Sequence, residues 1–119
     1  MHNFKELVIW KNAIKVTMGV YKLTESFPKA EMYGLTSQMR RAAISVASNI
    51  AEGSGRGSNS DFSRFLDMAK GSAFELETQL IIAKQLGHVQ EGQCTPIESQ
   101  IIEIEKMITG LQKTLKSRL

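Results

Sequence analysis

The 119-residue sequence has little of what disulfide scaffolds, metal sites and membrane spans require. Its single cysteine, Cys94, can form neither an internal disulfide nor a multi-thiolate metal site. Its two histidines, His2 and His88, have no ligand partner at helical spacing, so we expect no metal and no other cofactor. The amino-terminal segment lacks the apolar core of a signal peptide, and no apolar run approaches the roughly 18 residues that span a bilayer. We therefore expect a cytoplasmic protein without membrane contact.

Proline is also scarce, which permits long uninterrupted helices. Strand-like alternation and internal repeats are absent. Pro28, Gly34, the glycine-rich run 53–58 and Gly87 divide the chain into amphipathic segments. The sequence therefore predicts one all-α domain over residues 1–119. Its four helices are expected at about 5–26 and 35–52, then from the residue after Asn59 or Ser60 to about 86, and from a cap at Thr95 to about 117.

Local capping signals support two of these boundaries. Gly87 is expected to take the left-handed conformation that ends the third helix. Thr95, Pro96 and Glu98 resemble a capping box with proline at the first helical position, which predicts that the fourth helix begins there. His88, which follows Gly87, is interpreted as a surface loop residue. Because short loops join amphipathic helices, we expect an antiparallel up-and-down four-helix bundle.

The first helix carries two apolar seams about 120–140° apart on a helical wheel. The first seam comprises Leu7, Trp10, Ile14 and Tyr21. The second seam comprises Ile9, Ala13, Val16, Val20 and Leu23. A corner helix of a bundle buries one stripe, so this second seam is predicted to contact another copy of the chain. Phe74 and Ile81 lie off the main stripe of the third helix and extend that predicted interface. The alternative is a wide core in which the first helix is nearly central.

The net charge of +3 is unevenly distributed, with eight Lys/Arg against four Asp/Glu in residues 1–56. Such a surplus permits a nucleic-acid partner without requiring one. Arg40 and Arg41 lie about 100° apart on their helix, so one is expected to pair with Glu75 or Glu77 and the other to be free for phosphate. The lysines of the first helix form either a solvated face or a track for a phosphate backbone. The candidate nucleic-acid-binding residues are Lys11, Lys15, Lys22, Arg40, Arg41 and Arg56.

The sequence offers no catalytic motif. Glu75 and Glu77, two positions apart, point in different directions on a helix and form no acid–base pair. The run 53–58 lacks the order of a phosphate-binding loop, and no strand precedes it. No Glu-x-x-His motif of a di-iron bundle is present. We therefore expect a protein that is not an enzyme.

Several segments resemble the bacterial 23S rRNA intervening-sequence proteins, also called the four-helix-bundle protein family. The distinctive motifs lie at 4–7 with Trp10, 31–35, 65–72 and 75–80, and the most specific is RRAAISVASNIAEG at 40–53. The resemblance implies a bundle that assembles into a homo-oligomeric ring, commonly a homopentamer, with a link to nucleic acid. Some members are encoded inside insertions in 23S rRNA genes. A distant relative, the accessory variability protein of diversity-generating retroelements, binds a reverse transcriptase and nucleic acid.

Two functions are therefore expected. The first is an oligomeric RNA-binding accessory protein without enzymatic activity. The alternative is a protein-interaction adaptor, whose ring docks a partner enzyme such as a reverse transcriptase. The resemblance supplies the subunit number, because helical periodicity cannot.

Overall fold

A computed structural model describes residues 3–117. This part of the chain contains four α-helices and no strand, as predicted. Short 3-10 turns at Phe4–Glu6 and Lys29–Glu31 precede the first and second helices. None of the described helices combines the length and the apolar character that crossing a membrane demands. The helices are α1 Val8–Thr24, α2 Leu35–Ser54, α3 Asn59–Gln85 and α4 Glu91–Ser117.

The helices enclose one core, with each helix at a corner. α1 packs on α2, α2 on α3, α3 on α4, and α4 on α1, whereas within the described residues the backbones of helices at opposite corners do not approach each other closely. Contacts between neighbours run in antiparallel order, since Thr17 meets Ala43 and Arg40 meets Tyr21 across α1 and α2. The molecule measures 47 × 23 × 20 Å. The long side of this bundle therefore carries interhelical grooves that run most of its length.

α2 and α3 approach each other most closely at Gly53. A Cβ atom there would lie 2.7 Å from Cβ of Phe65 and 2.9 Å from Cδ1 of Phe62. Small buried residues on both helices and the 2.8 Å hydrogen bond between the Ser45 and Ser72 hydroxyls accompany this approach. Tight packing fixes the position of α3 relative to α2, and therefore also fixes where the exposed side chains of α3 lie.

Of three predicted boundaries, one is correct, one is slightly shifted and one is wrong. Gly87 has a positive φ of 78° and follows α3, as predicted. α3 begins slightly earlier than expected, because the Ser58 side chain accepts a hydrogen bond from the Asp61 N–H at 3.1 Å and is the N-cap. α4 begins at Glu91, so the predicted capping box at Thr95 does not form and Pro96 lies inside the helix.

Burial explains the early start of α4. Cys94 and Val89 are buried in the core, so the extra turn gains apolar contacts that outweigh one missing backbone hydrogen bond. The backbone N–H of Gln90 donates to Oε1 of Gln93 at 3.1 Å, which is the return half of a capping box one turn upstream. Tertiary contact thus overrides the local signal at Thr95.

The structure reverses the predicted roles of the two α1 seams. The second seam lies in the core of its own chain, with every member at most 8% exposed. Those five residues cannot form a contact between copies, so that part of the predicted interface is wrong. Ile14 and Tyr21 of the first seam are 38% and 36% exposed. The reason is shape: small and β-branched side chains fit the crowded centre, whereas Trp10 and Tyr21 are amphipathic rings suited to its rim.

Candidate nucleic-acid interface

The predicted lysines of α1 lie on its exposed outer face, opposite the core. Lys11, Lys15 and Lys22 make no ion pair with any described residue. Lys15 borders a small cleft that also contains Glu103 of α4. The three lysines therefore form an exposed cationic strip, and the cleft beside Lys15 contains a carboxylate.

Arg40 has a structural role. Its Nε donates to Oγ1 of Thr24 at 2.9 Å, and its Nη2 donates to the carbonyl oxygen of Tyr21 at 3.4 Å. The guanidinium lies 4.5 Å from the centroid of the Tyr21 ring. A cation at this point also opposes the negative end of the α1 dipole. One arginine of the pair is thus structural, as predicted, but its partner is the end of α1 and not Glu75 or Glu77, so Arg40 is not available to phosphate.

The other two predicted arginines lie apart from each other. Arg41 is exposed on the outer face of α2 and has no hydrogen bond or ion pair within residues 3–117. Arg56 follows α2, and its guanidinium lies 4.5 Å from the centroid of the Phe65 ring, with Arg64 over the same ring at 4.9 Å. The structure therefore distributes the six predicted basic residues over separate surfaces.

A long groove between α3 and α4 brings together basic residues that sequence reasoning missed. One stretch, of about 520 Å³, runs beside the start of α3 and the end of α4. A second, of about 400 Å³, continues it towards Phe74. Both stretches share Thr109 and Lys113, so we treat them as one surface, the α3–α4 groove. Its cationic lining residues are Arg64, Lys70, Lys106, Lys113 and Lys116.

The polar floor of the groove is ordered by hydrogen bonds between the helices. Nε2 of Gln112 donates to Oδ1 of Asp67 at 2.7 Å and to the carbonyl oxygen of Ser63 at 3.1 Å. Among residues 3–117, Asp67 and Glu105 are the only carboxylates that line the groove. Arg64 also pairs with Asp61 beside the groove, with Nε and Oδ1 3.6 Å apart. Five cations therefore face three carboxylates, which leaves a surplus of positive charge even when all three are ionised.

Glu105 contributes less than a full negative charge to the groove. Its Oε2 atom is buried, and it lies beside Glu77 of α3. Burial, followed by the hydrogen bond and the charge of Glu77, raises the pKa of Glu105 to about 7. A part of the Glu105 population is therefore neutral at neutral pH, which increases the net positive charge of the groove.

The overall charge of the second half of the sequence concealed this groove, because seven basic residues there face eight acidic ones. Within α4 the two signs are separated. Its four glutamates lie between 91 and 105, whereas its lysines begin at Lys106, in the order that the helix dipole favours. The spacing of Lys106, Lys113 and Lys116 places them on one side of the helix. That spacing is visible in the sequence and could have predicted a cationic side of α4.

The groove between α1 and α2 has different chemistry. It is about 260 Å³ in volume, and none of its described lining residues is charged. Ile14 and Ile44 are exposed at its wall, and the Thr17 hydroxyl turns inward to the carbonyl oxygens of Ala13 and Ala43. We call this surface the α1–α2 groove. Its lining residues are Trp10, Ile14, Thr17, Ile44, Ala47, Ser48 and Ala51.

Comparisons with known proteins give one family and one fold. The model of a family described as 23S rRNA-intervening sequence protein matches residues 5–110. A 1.70 Å crystal structure of a protein of unknown function, from the S23 ribosomal protein family of Bacteroides thetaiotaomicron VPI-5482, is similar with a TM-score of 0.80. The similarity covers 89% of this chain and 99% of that one at 22% sequence identity, so it shows a shared fold. Curated protein sequences give no significant match.

Proposed function

Since the chain belongs to the family of 23S rRNA-intervening sequence proteins, we propose that it is a non-enzymatic RNA-binding accessory protein whose RNA site is the α3–α4 groove. The observation that carries this proposal is the concentration of Arg64, Lys70, Lys106, Lys113 and Lys116 along one cleft. The α1 strip has three lysines on a convex face, whereas the groove has cations on both walls.

Geometry favours the groove for electrostatic reasons. Cations on two walls face the same ligand phosphates, so their fields add where the backbone lies. Each neutralised phosphate releases condensed counterions, which makes the affinity depend steeply on salt. Arg64 can also bind a phosphate through two parallel N–H donors, whereas the lysines act as point charges. The groove is thus suited to backbone recognition without a demand for sequence.

We also propose that copies of the chain associate through the α1–α2 groove into a ring, for which the family resemblance implies five subunits. This groove is uncharged and apolar, as the centre of a protein interface should be. Phe74 and Ile81, the remaining residues of the predicted interface, are 50% and 42% exposed. Phe74 lies among lysines, so we assign it to the RNA site and not to the contact between copies. A ring would combine the +3 charges of its chains into a stronger field.

The second candidate function is an adaptor that docks a partner enzyme such as a reverse transcriptase. The α1–α2 groove supports this alternative, because an apolar surface of this kind suits a protein partner as well as a second copy. The two functions predict different effects of substitutions in the α3–α4 groove. An adaptor that binds no RNA would keep its partner when the α3–α4 groove is neutralised.

The test is a fluorescence anisotropy titration of a labelled, structured RNA at several salt concentrations. We expect the double variant Lys113→Gln/Lys116→Gln to weaken binding on the order of tenfold and to reduce the salt slope by about one to two. The matched control, Lys11→Gln/Lys15→Gln, removes the same charge from exposed positions on α1 and should change binding little.

Three other outcomes are decisive. If the α1 control loses as much affinity as the groove variant, RNA responds to the overall field and the groove is not the site. If only the control loses affinity, the α1 strip is the site. If the wild-type protein binds no RNA at low salt, RNA binding is wrong and the adaptor function is favoured.

A further inference from the structure

We propose that the α3–α4 groove binds unpaired nucleotides in preference to duplex RNA, with the ring of Phe74 as the stacking surface for a base. This inference rests on the proposed function and specifies the form of nucleic acid that the groove accepts. It is carried by the position and the free faces of one aromatic side chain, and not by the charges that support RNA binding in general.

Phe74 differs from every other phenylalanine in the described chain. Phe4 packs on Trp10 and Phe27 on His88, with ring centroids 5.2 and 5.6 Å apart. Phe62 is buried, and Phe65 lies beneath two arginines. Phe74 is 50% exposed, and its ring contacts no other aromatic ring or cation within residues 3–117. A large apolar ring is thus held at the surface of the groove without a partner.

The surroundings of Phe74 fit a nucleotide. Lys70, one turn earlier on α3, and Lys106 and Lys113 of α4 line the same 400 Å³ stretch of the groove. That volume lies in the range of small-ligand sites. Gly110 lines this stretch as well, and a Cβ atom at Gly110 would meet nothing within 4 Å. A planar base therefore has room to lie on the ring while the lysines reach the phosphates on either side of it.

The width of the groove separates single strands from duplexes. Axes of packed helices lie about 8–10 Å apart, so the α3–α4 groove is a narrow surface furrow along which an extended single strand can lie. A duplex can only rest across the rims, where its stacked bases do not present their faces. Stacking on Phe74 consequently adds affinity for unpaired nucleotides alone, whereas the lysines attract both forms.

The experiment uses two labelled probes, an unstructured 12-nucleotide oligouridine and a 12-base-pair RNA duplex. We expect Phe74→Ala to weaken oligouridine binding by about 5- to 100-fold with an unchanged salt slope and to leave duplex binding as it was. Phe74→Trp should retain the oligouridine affinity. Ile81→Ala is the matched control, because Ile81 lies seven residues further along α3, is similarly exposed and does not line the groove.

A second readout reports stacking directly. A 2-aminopurine base in the single-stranded probe should lose fluorescence on binding to the wild-type protein and to Phe74→Trp, and should keep it with Phe74→Ala. Light scattering on each variant checks that the particle mass is unchanged, since Phe74 was also predicted to lie between copies. A changed mass in Phe74→Ala alone would assign the residue to assembly and overturn the stacking role.

The remaining outcomes separate the two levels of the proposal. If Phe74→Ala binds oligouridine as tightly as the wild type, or loses affinity for both probes equally, the stacking role is overturned and RNA binding in the groove stands. If the wild-type protein binds neither probe, the proposed function fails and the preference for single strands fails with it.

Discussion

The two long grooves of this bundle lie on opposite sides and differ in the chemistry of their walls. The α1–α2 groove has no charged lining residue, whereas the α3–α4 groove has five cations and two carboxylates. The backbone arrangement is the same in both, since each lies between neighbouring antiparallel helices. What differs is the choice of residues at positions beside the core stripe, which packing leaves free to vary.

This difference suits the two proposed partners, a second copy of the chain and RNA. An apolar groove gains free energy when it is removed from water against protein. A cationic groove stays hydrated until phosphates displace its counterions. The described lining residues of the two grooves do not overlap, so a substitution in one groove leaves the walls of the other unchanged. The comparison thus predicts that the two functions can be lost separately, and the following substitutions test it in order of decreasing effect.

The largest effect is expected from lysine in the buried seam of α1. Val20 is 0% exposed, so Val20→Lys buries an unpaired ammonium group and should destabilise the fold by more than about 4 kcal/mol. Ile14→Lys places the same charge in the α1–α2 groove, where the side chain reaches water, and should fold normally as a lower-mass particle. Urea unfolding and light scattering check both. A fully assembled Ile14→Lys protein would show that this groove is not the contact between copies.

A smaller effect is expected at the end of the α1–α2 groove, where neighbouring arginines differ in role. Arg40→Ala removes the hydrogen bonds to the end of α1 and the stacking on Tyr21, and should cost about 1–2 kcal/mol of unfolding free energy. Arg41→Ala removes an exposed guanidinium without a partner and should stay within about 0.5 kcal/mol of wild type. Denaturant titration measures both. Equal costs would contradict the assignment of Arg40 as the structural arginine.

The smallest effect is a pH dependence in the α3–α4 groove. The pKa of Glu105 is raised from 4.5 to about 7, so the folded state holds this proton more tightly than the unfolded chain. The resulting stabilisation is complete below about pH 4.5 and is lost as the pH rises through 7. Protonation also removes a negative charge from the groove. The unfolding free energy should therefore fall between about pH 4.5 and pH 7 and level off above, whereas the RNA affinity of the folded protein should fall around pH 7.

Glu105→Gln isolates the contribution of Glu105 from those of the other ionisable groups. The variant keeps the shape of the side chain without the ionisable proton. Its RNA affinity should vary less with pH than that of the wild type. An identical pH profile for both proteins would show that Glu105 does not control the charge of the groove.

His88 also shows how far local reasoning reaches. Gly87 was correctly predicted to end α3, because a left-handed residue at that point is a local requirement. His88 was interpreted as a surface residue, but it is half-buried against Phe27 and paired with Glu31. The hydrogen bond between His88 and Glu31 lowers the pKa of Glu31. Phe27 and Glu31, the partners of His88, lie about sixty residues earlier in the chain, and no local sequence pattern connects them with His88.

The candidate site was predictable only in part. The sequence showed that helix 1 carries apolar surface beyond one core stripe, whereas the predicted role of the cations in binding nucleic acid stays a prediction. It assigned the wrong seam to the surface, because a helical wheel gives the angle between Val20 and Ile14 without the direction of the core. It also missed the groove, because Arg64 and Lys70 on α3 and Lys113 on α4 combine only when α4 packs back on α3.

By itself the sequence determined the all-α class, the four helices and most of their ends, since glycine, proline and helical periodicity act within a few residues. Family membership likewise follows from sequence. Only the tertiary structure decided which side of each helix faces the core, where α4 begins and which charges share a groove. These properties depend on packing between segments distant in the chain, where burial of Cys94 or Val20 outweighs any local preference.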